Sequence, residues 1–267
     1  MKPSIQGVLI GLVASAVVFG LLERLWPEKP SQPRWRSDTR TDLVYWFLTP
    51  LVTKAITRAA VFALFAAAAF GFGKSTVQQW LEPHGPIARQ PAWLQAIEIL
   101  FVGDFIGYWI HRLFHRRLLW PFHAIHHSST QLDWLSSVRL HPVNDTVPRI
   151  LQTIPFFLIG FSPKVMLAYL PFLTFYAVLL HANVRWSLGP LRYVIASPTF
   201  HRWHHTSEQE GLDKNFAGLF AFLDLLFGTF YMPPGRQPER FGLAGQQIPK
   251  TVLGQLAYPF GRAQQHG

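Results

Sequence analysis

From Ile5 to Leu22 the chain runs 18 residues without a charge, close to the roughly 20 apolar residues that carry an α-helix across a bilayer. Few features restrict a fold more. A backbone segment in lipid must satisfy its own N–H and C=O groups, and a single segment does so as a helix. Ala14-Ser15-Ala16 has the small-residue pattern of a secretory cleavage site. The apolar character nevertheless continues through Val17, Val18, Phe19, Leu21 and Leu22, and basic residues follow. The run reads as a retained span.

Further apolar stretches extend the pattern. Leu43 to Phe72 is interrupted only by Lys54 and Arg58, which mark an expected interfacial bend. Ala92 to Ile110 is a third span and contains Glu98 and Asp104, and ionisable groups inside a span are functional suspects. Ile150 to Phe161 and Val165 to Leu180 are short runs split by Gly160-Phe161-Ser162-Pro163, the pattern of a hairpin that enters or crosses the bilayer and returns. The expected class is an all-α integral membrane protein. It has about four transmembrane helices or helical hairpins and a helical histidine cap on the cytoplasmic face. Composition agrees: 49% of residues are hydrophobic and 14% charged, against about 25% charged in ordinary soluble domains.

The net charge of +10 flanks the apolar runs rather than building a basic helix or a known nucleic-acid motif. It reads as the Lys and Arg excess of the cytoplasmic side, facing anionic headgroups, with no nucleic acid as partner. Arg24 to Arg40 carries five basic residues and three prolines and is the expected cytoplasmic linker. Lys74 to Pro91 is the expected loop on the far side. The third span and the hairpin then return His111 and His181 to the cytoplasmic face. The chain has no cysteine, which excludes disulfides, thiolate ligands and a cysteine nucleophile.

Ten of the twelve histidines fall between His111 and His205. His111 and His115 are spaced i, i+4. His123, His126 and His127 follow as i, i+3, i+4, and His201, His204 and His205 repeat that spacing. Residues three and four apart share a helix face, so each cluster aims its imidazoles together. An adjacent pair points about 100° apart, as one helix must offer if it serves two metals side by side. Asp104, seven residues before His111, is placed to accept the second ring N–H of a ligand histidine. His84 and His266 stand apart and read as packing or surface residues.

Imidazole suits zinc, copper, iron and nickel. A catalytic zinc uses three protein ligands, whereas eight to ten ring nitrogens are on offer here. That is enough for two ions with four or five each. No local carboxylate joins the clusters, unlike the Glu-rich di-iron bundles. The specific expectation is a pair of irons ligated by histidine alone at a membrane face.

In this order, H-R-x-x-H, H-x-x-H-H and H-x-x-H-H resemble the fatty acid hydroxylase and sterol desaturase superfamily of integral membrane di-iron oxygenases. Other segments between about Phe101 and Leu226 add to the resemblance. Asp104-Phe-Ile-Gly-Tyr108-Trp-Ile-His111-Arg112 is similar to the family's approach to the first cluster, and Arg139-Leu-His141-Pro142 to its R-x-H-P element. His181-Ala-Asn183 resembles the single histidine before the last cluster, and Asp213-Lys214-Asn215-Phe216 the D-x-N-aromatic segment after it. Two positions depart from the pattern. Asn144 stands at an acidic position, which bears on the contacts around His141, and Ala217 stands where glycine is common.

The resemblance implies O2-dependent oxidation of an unactivated C–H bond of a lipid by a non-haem di-iron enzyme. Hydroxylation is the expected outcome and desaturation the alternative. The implied metal ligands are His111, His115, His123, His126, His127, His201, His204 and His205, joined by His181 and His141. Asp104 and Asn183 enter the catalytic centre as supports of those ligands. The cofactors are two iron ions with O2 as co-substrate. The partners are a membrane lipid and a separate electron donor of ferredoxin or cytochrome type. Phe172, Phe175 and Tyr176 are expected along the lipid's path. A haem-binding carrier would instead use single histidines deep in facing spans, and a metal transporter would string ionisable groups through the bilayer. A zinc-dependent membrane hydrolase would work without O2. The expected organisation is residues 1–92 as N-terminal transmembrane helices and loops, 93–232 as the histidine-rich hydroxylase domain, and 233–267 as a polar tail. Within the second, Phe216 to Met232 is expected to form an interfacial floor.

Overall fold

The computed structural model describes residues 4–261, so His266 lies outside the described residues. Among these, helices carry the fold, and the only extended pairings are two isolated antiparallel bridges, Pro27 with Val184 and Thr206 with Phe241. The all-α expectation is met.

Helix α1 (Ile5–Leu25) starts where the Ser4 hydroxyl accepts the Gly7 N–H at 3.0 Å, a standard N-cap. Helices α2 (Thr39–Leu48) and α3 (Lys54–Phe72) form one continuous 34-residue rod. The irregularity expected at Lys54 and Arg58 lies just upstream as a π-helical turn, Thr49–Thr53. Pro50 has no N–H to give the regular ladder there. The expected loop from Lys74 to Pro91 is partly helical: α4 (Lys74–Leu81) folds back along α3 and a single 3₁₀ turn occupies Ile87–Arg89. Helix α5 (Ala92–Phe114) follows, then the short α6 (Trp120–His127).

Helices α7 (Pro142–Ile159) and α8 (Pro163–His181) form the expected hairpin. Its corner is Gly160, at φ 96°, where a Cβ would lie 2.2 Å from the His84 carbonyl oxygen. No other residue fits that turn. Among the described residues, four rods are long and apolar enough to cross a membrane: α1, α2–α3, α5 and α8. Their large apolar side chains point outward, with Phe70 96% and Phe62 76% exposed, as lipid-facing residues do and a soluble protein's do not. The chain is a multi-pass membrane protein.

The spans meet at one end. Glu23, near the end of α1, accepts the backbone N–H groups of Trp134 and Asn183 at 2.9 and 2.8 Å. At the start of α2, Asp42 bridges two arginines, taking Arg36 at 2.9 Å and Arg139 at 2.6 Å. Arg36 also grips Asp133 through two bonds of 2.5 Å. This buried network ties the N-terminal rod to the loop before α7. Helix α9 (Pro198–His204) packs on α8, Phe222 of α10 (Phe222–Leu226) stacks on Phe101 of α5, and α11 (Val252–Ala257) packs on α2. The expected interfacial floor, Phe216 to Met232, is helical only in α10. Its carboxylate Asp224 is fully buried, and the segment is compact rather than flat. From Arg236 to Phe260 the polar tail packs against the rest of the chain. Arg236 pairs with Glu208 at 2.8 Å, the Thr206–Phe241 bridge anchors it, and Phe260 packs on Phe122.

Candidate metal centre

The histidines come from α5, α6, α8 and α9, whose ends converge. They separate into two groups, each with one ring nitrogen per residue within 4.8 Å of the others. The first holds His111, His115, His123, His127 and His204, and the second His126, His181, His201 and His205. Each adjacent pair is divided between the groups, as the 100° step between neighbours requires. His126 goes to one and His127 to the other, and likewise His205 and His204. The groups abut, with the His127 and His205 rings stacked 4.3 Å apart.

Outer partners fix which ring nitrogen carries the proton. His111 Nδ1–H donates to the Phe216 carbonyl at 2.7 Å, and His123 Nδ1–H to Asn144 Oδ1 at 2.8 Å. His204 Nδ1–H donates to the Lys214 carbonyl at 2.8 Å, and His115 Nδ1–H to the Asp213 carboxylate at 3.0 Å. In the second group His126 gives its Nδ1–H to the Arg139 carbonyl at 3.2 Å, and His181 to the Ala177 carbonyl at 2.8 Å. A carbonyl only accepts, so Nε2 of each of these rings carries a lone pair.

Those lone pairs face one another. His111 Nε2 lies 3.0 Å from His123 Nε2, and His181 Nε2 lies 3.1 Å from His126 Nε2. His127 approaches His123, His201 approaches His181 and His205 approaches His201, each at 3.1 Å between Nε2 atoms. Opposed lone pairs repel unless a cation lies between them. Nitrogen ligands ~2.1 Å from one ion and at right angles to each other stand ~3.0 Å apart. Nε2 of His115 and of His204 is buried without a protein partner, as a nitrogen reserved for a metal would be. The donor set fits metal ions, and it divides into two positions.

Burial holds these rings neutral. It pushes His123, His126, His127, His201, His204 and His205 well below the ordinary imidazole range, and mutual repulsion among the rings adds to the effect. His115 is lowered by burial in spite of Asp213, and the hydrogen bond to His115 in turn lowers the Asp213 carboxyl. Neutral imidazole is the form that binds a metal.

Three expected contributors sit elsewhere. His141 belongs to neither group: its Nδ1 caps α7 by accepting the Val143 N–H at 3.1 Å, and its Nε2–H donates to the Leu256 carbonyl at 3.2 Å. Both ring nitrogens are used, so none is left to point inward. Asp104 touches no imidazole. Its carboxylate accepts three successive backbone N–H groups, from Gly218, Leu219 and Phe220, at 2.8, 3.1 and 2.6 Å. Asn183 holds the N-terminal linker, exchanging side-chain bonds with the Lys29 backbone at 3.0 and 3.1 Å. Of the aromatic residues expected along the lipid path, Tyr176 donates to the Ala196 carbonyl and Phe175 packs on Phe19 of α1.

Two departures from the family pattern find physical roles. Asn144 is the outer partner of His123, so its amide serves a candidate ligand other than His141. Ala217 needs no glycine. The close approach falls one residue later, at Gly218, whose Cβ would lie 3.1 Å from Asp104 Oδ1. A cavity of about 680 Å³ opens onto the first group, between His115, His127 and His204 on one side and Arg117, Trp120 and residues 242–247 on the other.

The fatty acid hydroxylase family model matches residues 96–229, half of the chain. An ornithine lipid hydroxylase of Rhizobium tropici is 29% identical over 254 residues, covering 94% of this chain and 74% of the relative. Alkylglycerol monooxygenases of Caenorhabditis elegans and human are 32% and 33% identical over 145 and 135 residues. These alignments cover 54% and 49% of this chain, but 28% and 29% of the relatives. No solved structure matches significantly.

Proposed function

The chain belongs to the fatty acid hydroxylase family, and from that premise we propose that it is an O2-dependent di-iron monooxygenase that hydroxylates an unactivated C–H bond of a membrane lipid. The observation that carries the reading is the opposition of Nε2 lone pairs in two adjoining histidine groups. That arrangement is stable only around cations, and the family implies that they are iron. Nine rings serve the two ions: five at the first, four at the second. The names of the relatives, hydroxylase and monooxygenase, favour hydroxylation over desaturation.

A bound iron pair would supply the O2 redox chemistry that no side chain can. The protein's own part is to hold ligands and admit reactants. The rings are kept neutral by burial, so metal is taken up without removing protons from them. Asp213, Asn144 and the carbonyls of Lys214, Phe216, Arg139 and Ala177 orient the rings before any metal arrives. The cavity over the first group gives a route to that side of the centre. Electrons come from a separate donor of ferredoxin or cytochrome type. The histidine end faces the cytoplasm, because Arg24, Lys29, Arg34, Arg36 and Arg40 link α1 to α2 at that end.

The deciding experiment is lipid mass spectrometry on cells with and without the gene, paired with iron analysis of the purified protein. About two irons per chain and a +16 lipid product that requires O2 are expected. A −2 product would assign desaturation, and turnover surviving strict anaerobiosis would overturn the oxygenase reading.

A further inference from the structure

One short segment holds the first histidine group from outside. Between residues 213 and 216 it supplies the Asp213 carboxylate to His115, the Lys214 carbonyl to His204 and the Phe216 carbonyl to His111. Three of that group's five rings are therefore oriented by four consecutive residues. The second group takes nothing from this segment: His126 and His181 lean on the carbonyls of Arg139 and Ala177.

The segment makes two left-handed steps: Asp213 and Asn215 sit at φ 54° and 59°, a region that most side chains avoid and that Asp and Asn enter more readily. Two carboxylates hold it. Asp224, fully enclosed, accepts the Phe216 N–H at 2.8 Å, the Ala217 N–H at 2.9 Å and the Thr229 hydroxyl at 2.6 Å. Asp104 gathers the next three N–H groups. Five successive amides, from Phe216 to Phe220, thus converge on two side chains. The peptide whose N–H follows the Phe216 carbonyl is clamped by Asp224, and that carbonyl fixes the His111 ring.

We infer that Asp224 and Asp104 are positioning residues for the first metal position and not for the second. They act through the 213–220 turn on the tilt of His111, His115 and His204. The inference rests on reading the two histidine groups as a metal centre. Its consequence is that the two positions weaken separately: slackening the turn loosens the ion at the first group and leaves the ion at the second in place.

The test is a Co²⁺ titration of the metal-free, full-length protein in detergent, followed by absorption and by metal analysis. Wild-type protein is expected to take two equivalents. Asp224→Asn keeps the shape of the side chain but replaces one acceptor by an amide. It should retain one tight equivalent and weaken the other by about 10–100-fold. Asp213→Gly, which removes an exposed carboxylate at a positive φ that glycine adopts freely, should weaken the same equivalent without touching the core. In a His181→Ala background, where only the first group is whole, adding Asp224→Asn should remove most of the remaining binding. In a His204→Ala background it should change little. If Asp224→Asn does not fold, Thr229→Ser, which keeps the hydroxyl shared by Asp224 and Tyr108 and removes only the methyl that steadies it, replaces it with a smaller split in the same direction. Equal weakening of both equivalents would make the role merely structural and overturn the inference, as would two undisturbed equivalents in a folded variant. Wild-type protein that binds no Co²⁺ would overturn the metal centre itself.

Discussion

At the scale of single residues, the centre depends as much on what stands behind each imidazole as on the imidazole. Asn144 shows this. Its amide oxygen fixes the His123 ring, and His123 Nε2 faces both His111 and His127. Asn144→Leu should keep the fold yet lower metal affinity by about 10–100-fold, read as the iron retained after dialysis against a chelator. Unchanged retention would remove Asn144 from the centre. The rings themselves were legible in the sequence because i, i+3 and i+4 spacing is local information. Their partners mostly were not. Four are backbone carbonyls, of Arg139, Ala177, Lys214 and Phe216, and a carbonyl leaves no signature in residue identity. Asp104 was recognised as significant from its place in a span, but helical spacing put it beside a histidine ring. The chain instead folds a distant turn onto it. His141 failed as a member of either group for a related reason: a histidine before a proline at a helix start serves readily as a cap.

At the scale of elements, the apolar runs foretold the spans well, because a lipid-crossing helix has length and composition as its only requirements. Helix α4 falls in a stretch that reads as a loop, and α10 occupies only part of the expected interfacial floor from Phe216 to Met232. Both are short and owe their form to packing against neighbours rather than to periodicity. The hairpin corner is the element most exposed to a single substitution. Gly160→Ala would force a Cβ into the His84 carbonyl at a backbone angle that disfavours side chains, at a cost of about 1–3 kcal/mol. A lower thermal midpoint with unchanged turnover in the folded fraction is expected, because the corner lies at the far end of α7 from Asn144. A lower iron content in the folded fraction would show that the corner reaches the centre after all.

At the scale of the whole molecule, burying nine imidazoles makes the metal-free protein sensitive to acid. For the described rings outside the spans, the folded values lie well below the ordinary imidazole value of 6.5. Below about pH 6.5 the unfolded chain therefore binds more protons than the folded one, and stability falls as acid is added. Above that value the effect vanishes. The metal-free protein should melt at a lower temperature at about pH 5 than at about pH 7, and iron loading should raise the midpoint at about pH 7. A flat profile would mean that the rings are not desolvated. Orientation has an equally direct test, since the chain carries no cysteine of its own. Ser31→Cys in the linker should react with an impermeant thiol reagent from the cytoplasmic side, and Ser75→Cys at the other end of the spans from the opposite side. Reversed labelling would turn the protein over.

The packed tail sets a schedule for biosynthesis. All nine clustered histidines precede residue 206, whereas the cavity wall at 242–247, the Leu256 carbonyl under His141 and the Phe260 ring on Phe122 come later in the chain. Synthesis runs from the N-terminus, so a growing chain displays every ligand before the last wall has left the ribosome. During that interval the first histidine group is open on the side that the finished protein partly closes. Delivery of iron to the nascent chain would meet less obstruction than delivery to the completed one.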